Sequence, residues 1–494
     1  MNQTTVKEGH PKGLYVLFMA EMWERFCYYG MRVLLTLYLV KQLLYADSDA
    51  YLIYGSYTAL VYLAPVFGGR IADAWLGYRK AIIFGALAMA LGEFMILGGT
   101  ADWLFWGMGF LIIGNGYFKA NISSIVGKLY RDGDPRRDSG FTIFYIGINV
   151  GALLATLIVS YVGETYGFKY GFGLAGIGML LGFLIFVAGS KHFREQSNPP
   201  SVEKLKKKVG GIIPLEYLIY ILSIAMVPVI YYLVNQNTIV QYLLAVSGVG
   251  MIAYLIYEGV KGGKVLLDRM ILFVILCLFN VVFWALFEQA GTSLTLFADT
   301  NVDRNIFGIF EMTAGNTQFF NPFYIIVFGS LFSVMWLKLD KIGMNPNIPM
   351  KFGLGIIQLG LGYLVVQLGA QFAPDYKVPI WTLGLLYMLH TTGELFISPI
   401  GLSMVTKLAP AKLTGTVMGV WFLSTAAANF LAGKIATLTG GHHVEGVESV
   451  AASPAESLAT YTDVYTQLGM WAVGIGLFAV VLSPLLKKLL HGVK

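Results

Sequence analysis

The sequence predicts an all-α protein that crosses a membrane many times. Three observations carry that expectation. The 494 residues are 56% hydrophobic and only 13% charged, where an ordinary soluble domain carries roughly a quarter charged residues. Mean hydropathy is +0.67. The apolar residues come in continuous runs of bilayer-spanning length rather than in the alternation that a membrane β-barrel requires. The 58 glycines suit helices packed closely in lipid.

Taken in order, spanning helices are expected near 14–40, 50–74, 81–99, 103–127, 140–163 and 168–189. A polar, basic linker follows, with Asn198-Pro199-Pro200 and Lys206-Lys207-Lys208. Two more apolar segments lie near 212–234 and 239–260. Six further spans fall near 270–298, 320–340, 350–371, 379–406, 413–438 and 464–487. The expected organisation is fourteen transmembrane helices (6 + 2 + 6). An N-terminal six-helix bundle covers 1–189, a linker with two extra helices covers 190–269, and a C-terminal bundle covers 270–494.

Lys and Arg set the orientation. One set of loops carries Arg79, Lys80, Lys128, Arg131, Arg136, the linker lysines, Lys338, Lys351, Lys407 and Lys488. The alternate loops hold Asp47, Asp102, Glu164, Asp299, Asp375, Glu445 and Glu456. An even helix count keeps every basic loop, and both termini, in the cytoplasm. A single middle span would turn the second half over, so the middle pair is read as two spans. The short loops point to a bacterial inner membrane. Cys27 and Cys277 lie inside apolar runs, which argues against a disulfide framework.

Two six-helix halves joined by a basic linker suggest a transporter with its site between the halves. The loop Gly68-Gly69-Arg70-Ile71-Ala72-Asp73-Ala74-Trp75-Leu76-Gly77-Tyr78-Arg79-Lys80 resembles the Gly-x-x-x-Asp-x-x-Gly-Arg-Lys loop of the major facilitator superfamily. The resemblance implies that superfamily's fold, with Asp73 pairing a loop arginine or capping a neighbouring helix.

Chemistry concentrates in the first helix. Glu21, Glu24, Arg25, Tyr28 and Arg32 fall on one narrow face at about 100° per residue. A charge at mid-bilayer costs from a few to more than ten kcal/mol, so that face looks into protein or water. A receptor for many peptides must grip the two charged termini and tolerate the rest. That requires a cation for the carboxylate and an anion for the ammonium. Arg25 and Lys119 supply positive charge from the first half and Glu394 negative charge from the second. Asn149 and Asn321 offer hydrogen bonds. Tyr28, Tyr29, Tyr62, Trp284 and Trp421 offer broad amphipathic walls.

Glu21-Met22-Trp23-Glu24-Arg25-Phe26-Cys27-Tyr28-Tyr29-Gly30 resembles the Glu-x-x-Glu-Arg-Phe-x-Tyr-Tyr-Gly signature of the proton-dependent oligopeptide transporters. Phe141 to Leu153, Phe283 to Gly291, and Gly393 to Ser403 followed by Lys407-Leu408-Ala409-Pro410 are similar to the helix 5, 7 and 10 signatures of that family. The resemblance implies a proton-coupled symporter importing di- and tripeptides by alternating access. Proton coupling would fall to Glu21, Glu24, Arg25 and Lys119. The substrate set would be Arg25, Tyr28, Tyr29, Tyr62, Lys119, Asn149, Trp284, Glu288, Asn321, Glu394, Trp421 and Ser424. Arg32 and Glu288 would close an outer gate.

One departure stands out. Mammalian members carry a histidine seven residues before the conserved tyrosine of helix 2. Here Gly55 stands at that spacing from Tyr62, which shifts proton coupling onto the carboxylates. The nearest rival reading is a proton-coupled carrier of another solute: nitrate, an amino acid derivative or a peptide-like drug. An enzyme is not expected, because the histidines and cysteines form no catalytic set. No nucleotide-binding loop is present. The expected partners are peptides, protons and the lipid bilayer, with no nucleic acid, no cofactor and no metal, in a functional monomer.

Overall fold

The computed structural model describes residues 9–131, 134, 136–306, 308–410, 412–440 and 453–492. Glu445, placed above in an acidic loop, lies outside them, as do the side chains of Pro399 to Ser403 in the helix 10 signature. Nearly everything described is helical. The long helices are α1 (Lys12–Leu37), α2 (Asp47–Ile71), α3 (Tyr78–Ile96), α4 (Ala101–Lys128), α5 (Arg137–Leu154, resuming as Ser160–Tyr166) and α6 (Phe168–Gly189). α7 (Leu215–Ala225, resuming as Val227–Asn235) and α8 (Asn237–Lys261) form the middle pair. There follow α9 (Lys264–Phe287, resuming as Ser293–Thr300), α10 (Phe320–Lys341), α11 (Ile348–Ala370), α12 (Trp381–Leu408), α13 (Thr414–Ala436) and α14 (Pro454–Lys488). Among the described residues, ten helices are long and apolar enough to cross a membrane. Three two-stranded ladders of two residues each are the only strands described.

Several spans depart from the regular helices that the sequence predicts. α1, α2 and α5 each run into a π turn, at Tyr38–Gln42, Ala72–Leu76 and Ala155–Val159. The expected span 270–298 is broken by a 3-10 turn, Glu288–Gly291. There Gln289 holds the bend, donating from Nε2 to the carbonyls of Ala285 at 3.0 Å and Ala432 at 2.9 Å. α14 begins ten residues before the predicted start. Glu456, read as a loop acid, closes a capping box with Ser453, and Pro454 occupies the first turn. The polar composition of that turn hides it from a hydropathy reading.

The chain falls into two compact units. The first holds residues 1–31, 64–155 and 169–231; the second holds 32–63, 156–168 and 232–494. In the first, α3 and α4 pack through reciprocal glycines. A Cβ on Gly92 would stand 2.6 Å from the Gly107 carbonyl oxygen, and one on Gly107 equally close to that of Gly92. α7 lies on the same unit: Tyr117 and Ser223 hydroxyls are 2.7 Å apart, and Tyr231 Oη donates to Asp102 at 2.6 Å. In the second unit, α11 and α14 repeat the device at Gly360 and Gly469. α8 packs there against α9 and α13. The far ends of α1 and α5 and most of α2 also belong to this second unit, together with all the C-terminal helices.

Candidate functional site

In the first unit, the turn of α1 at Glu21–Arg25 gathers a dense ion cluster. Arg25 Nε contacts Glu21 Oε1 at 2.9 Å and Glu24 Oε2 at 2.5 Å. All three side chains are almost wholly buried. From α4, Asn115 Nδ2 donates to Glu24 Oε1 at 3.0 Å, and Lys119 lies within electrostatic reach of both carboxylates. The Arg25 guanidinium sits 5.3 Å from the Tyr28 ring centre, and Tyr28 packs edge-on to Tyr29 at 5.2 Å. The predicted proton-coupling residues are therefore in one place. Asn149 is turned to its own helix, donating from Nδ2 to the Tyr145 carbonyl at 3.0 Å.

Two buried groups, one beside Glu24 and one beside Cys27, carry no role in the sequence reading. Asn115 is an interior polar residue with no motif to flag it. Glu93, on α3, is fully buried, and the Cys27 thiol lies 3.5 Å from its Oε1. Its isolation in an apolar run was the available signal.

The second unit holds two further constellations. Arg32 pairs through Nη2 with Glu288. It also donates to Tyr54 Oη from Nε at 2.9 Å and Nη2 at 2.7 Å. Thr36 Oγ1 donates to the Gly291 carbonyl at 2.6 Å. The break in α9 makes this possible, since it frees that carbonyl from the helical ladder. Nearby, Lys41 Nζ meets Asp299 Oδ1 at 2.6 Å.

The other constellation surrounds Glu394 on α12. Asn321 Nδ2 donates to Glu394 Oε2 at 3.0 Å and to Thr391 Oγ1 at 3.1 Å. His390, one turn earlier, is buried with its ring 4.8 Å from Tyr363. Trp284 packs on Phe283 and Phe287. Trp421 packs on Phe273 and Phe352, and Ser424 donates to the Trp421 carbonyl at 2.7 Å. Ser424 in turn accepts from Asn280 Nδ2 at 3.0 Å, a buried partner the sequence does not single out. Tyr62 packs beside Ala59, Leu423 and Phe430. At Gly55 a Cβ would stand 3.1 Å from Gly433 Cα and 3.2 Å from the Asn429 carbonyl oxygen. An imidazole has no room at that position.

In the loop before α3, Asp73 neither pairs an arginine nor caps a helix among the described residues; it accepts from Tyr78 Oη at 2.7 Å. Gly77 follows at φ 72°, and a Cβ there would fall 2.5 Å from Pro199 N. The loop is thus held against the linker by a glycine only. Outside the spans, Asp134 receives the Arg136 backbone N–H at 2.9 Å and its guanidinium at 2.8 and 3.0 Å. Those hydrogen bonds hold its carboxyl down at about 2.

A family model described as the POT family matches residues 79–452. The chain belongs to the POT family. Dipeptide and tripeptide permease A of Yersinia pestis is 35% identical over 488 residues, spanning 97% of this chain and 93% of the relative. A solved structure of a variant of the peptide transporter POT in complex with alafosfalin is 33% identical. It superposes with a TM-score of 0.83 over 98% of this chain and 97% of that one. A tetrameric crystal structure of PepTSo2 is 25% identical, with a TM-score of 0.81 over 96% and 98% of the two chains. This POT-family chain is accordingly a multi-pass membrane protein of a transporter family.

Proposed function

We propose that this POT-family chain is a proton-coupled symporter that imports di- and tripeptides by alternating access. The observation that carries the reading is the ion cluster of Glu21, Glu24, Arg25 and Lys119 in the first unit and the buried carboxylate of Glu394 in the second. The Glu21–Glu24–Arg25–Lys119 cluster takes the peptide carboxylate, through Arg25 or Lys119. Glu394, steadied by Asn321, takes the ammonium. Tyr28, Tyr29, Tyr62, Trp284 and Trp421 supply walls that tolerate varied side chains. The permeases to which the chain is similar carry di- and tripeptide names, and that supports the same substrate class.

Coupling follows from charge balance. Two anions and two cations share the first cluster, so a proton arriving on Glu21 or Glu24 deprives a cation of its partner. That cation then binds the peptide carboxylate. Release of the proton inside re-forms the pairs and expels the substrate. The proton gradient supplies the energy, and no cofactor or metal is needed.

The topology that fits this role has fourteen spans, with boundaries near 189 and 270 between the two bundles and the middle pair. Among the described residues, ten helices qualify by length and composition alone. α1, α3, α4 and α12 have similar lengths and carry the polar groups Glu21, Glu93, Lys119 and Glu394 that lower their hydropathy. The basic loops put both termini in the cytoplasm, so Arg32, Glu288 and Lys41 lie toward the outside. One chain holds both charge centres, which supports a functional monomer.

Dialanine uptake into proteoliposomes, with and without an inward proton gradient, tests the reading. Gradient-dependent uptake that falls away in Glu394→Ala supports it. A folded wild type that does not take up dialanine in either condition sinks it.

A further inference from the structure

Near the outer end of α5, a carboxylate that the transport scheme leaves unused reaches across to another helix. Glu164 lies in the helical segment Ser160–Tyr166, in the second unit. Its Oε2 accepts the backbone N–H of Ala314 at 3.0 Å, and its Oε1 accepts that of Gly315 at 2.9 Å. Ser160 Oγ donates to Glu164 Oε1 at 2.7 Å and lies 2.9 Å from Thr313 Oγ1. Asn316 answers in the other direction. Its Nδ2 donates to the carbonyls of Thr156 at 2.8 Å and Leu157 at 2.9 Å. Both carbonyls belong to the π turn of α5, whose wider winding takes them off the regular hydrogen-bond ladder. A Cβ on Gly315 would stand 2.9 Å from Glu164 Oε1. It would also stand 2.4 Å from Ser160 Oγ, so a side chain there crowds both groups that seat the carboxylate.

The two N–H groups are the leading donors of a helix. The 3-10 turn Gly315–Phe319 runs directly into α10. Such donors have no partner within their own helix, and they carry the positive end of its dipole. The same helix carries Asn321, which donates to Glu394. An ordinary cap is local and stays with its helix through any motion. This cap comes from α5, so it holds only while the end of α5 is docked.

We propose that Glu164 is a positioning residue: by capping the start of α10 it ties closure of this end of the molecule to the placing of Asn321 on Glu394. The inference rests on the peptide reading only for the identity of the ligand at Glu394.

The test uses the full chain with nitroxide labels at Tyr166→Cys and Phe372→Cys, which are 64% and 57% exposed, while Cys27 and Cys277 are buried. The variants are Glu164→Ala, Glu164→Gln and Gly315→Ala, without substrate. The expected result is a second, longer distance population, with the ratio of separated to docked forms raised about tenfold in Glu164→Ala. Glu164→Gln falls between, since one carbonyl oxygen can keep one N–H. Hydrogen exchange across residues 314–322 rises with it. With dialanine, KM rises about tenfold while kcat changes far less.

Distances and exchange like those of wild type in Glu164→Ala and Gly315→Ala overturn the proposal. Faster exchange at Ala314–Asn316 that stops short of Asn321, or an unchanged KM, overturns the link to the amine site. Distances and exchange need no substrate. A wild type inert toward dialanine therefore defeats the transport reading separately.

Discussion

Arg25 presents one nitrogen to two carboxylates, and that sharing decides what each change should do. Glu21→Gln or Glu24→Gln removes an anion but keeps the shape of the side chain. Proton-driven dialanine uptake is expected to fall at least about tenfold, while counterflow exchange stays near wild type, because peptide binding survives and proton carriage does not. Unchanged gradient-driven uptake in both variants would falsify the coupling role. A purely structural network behaves differently: leaving a buried charge uncompensated costs about 3–5 kcal/mol, and both transport modes would be lost with the fold. Asp134 makes the contrasting case. Its carboxyl is held at about 2, below the ordinary value. Its contribution is therefore complete above the ordinary aspartate range and is lost only as pH falls through about 2. Asp134→Asn is expected to leave the shape of the uptake-against-pH curve between about pH 5 and 8 unchanged; a shifted midpoint there would overturn this.

Close helix contacts set the tolerance of whole elements. Gly360 and Gly469 let α11 and α14 approach until a Cβ would stand 2.7 Å from backbone oxygen at one site and 2.9 Å at the other. Gly360→Val is expected to destabilise the second unit by about 1–3 kcal/mol, the usual cost of overpacking. Thermal unfolding in detergent would report it, and an unchanged Tm would show that the contact yields easily. At Gly55 on α2 the neighbours are backbone atoms of α13, so Gly55→His should fold poorly and not restore a proton site. Well-folded Gly55→His with a new pH dependence would contradict the packing. Ser453→Ala removes the cap of α14 at a cost of about 1 kcal/mol, expected as faster hydrogen exchange confined to its first two turns.

For the molecule as a whole, the informative fact is which residues share a unit. The far ends of α1 and α5 and most of α2 cluster with the C-terminal helices rather than with the rest of their own bundle. Arg32–Glu288, Thr36–Gly291 and Lys41–Asp299 hold the end of α1 there, Arg32–Tyr54 ties α2 to it, and Glu164 holds the end of α5. Contacts of this kind bias an equilibrium by the difference between the states in which they are made and broken. Transport is expected to fail in Arg32→Glu and in Glu288→Arg and to recover in the double exchange. Recovery would identify the ion pair as the element that matters; no recovery would shift the gating role to Tyr54 and Thr36.

Hydropathy was enough to read a many-span helical protein and the middle helix pair. Those properties belong to local stretches of chain meeting a bilayer. The charged face of α1 was equally legible, because spacing alone places Glu21, Glu24 and Arg25 on one side of a helix. Partners distant in sequence were not. Asn115 beside Glu24, Tyr54 under Arg32, Asn280 on Ser424 and Glu164 at the start of α10 lie between 22 and about 150 residues from what they touch. The break at Glu288–Gly291 and the π turn of α5 were hidden for a related reason. Each is fixed by a tertiary hydrogen bond, from Gln289 to Ala432 and from Asn316 to Thr156. Local sequence chose which groups were buried, and only the packed helices decided which of them would meet.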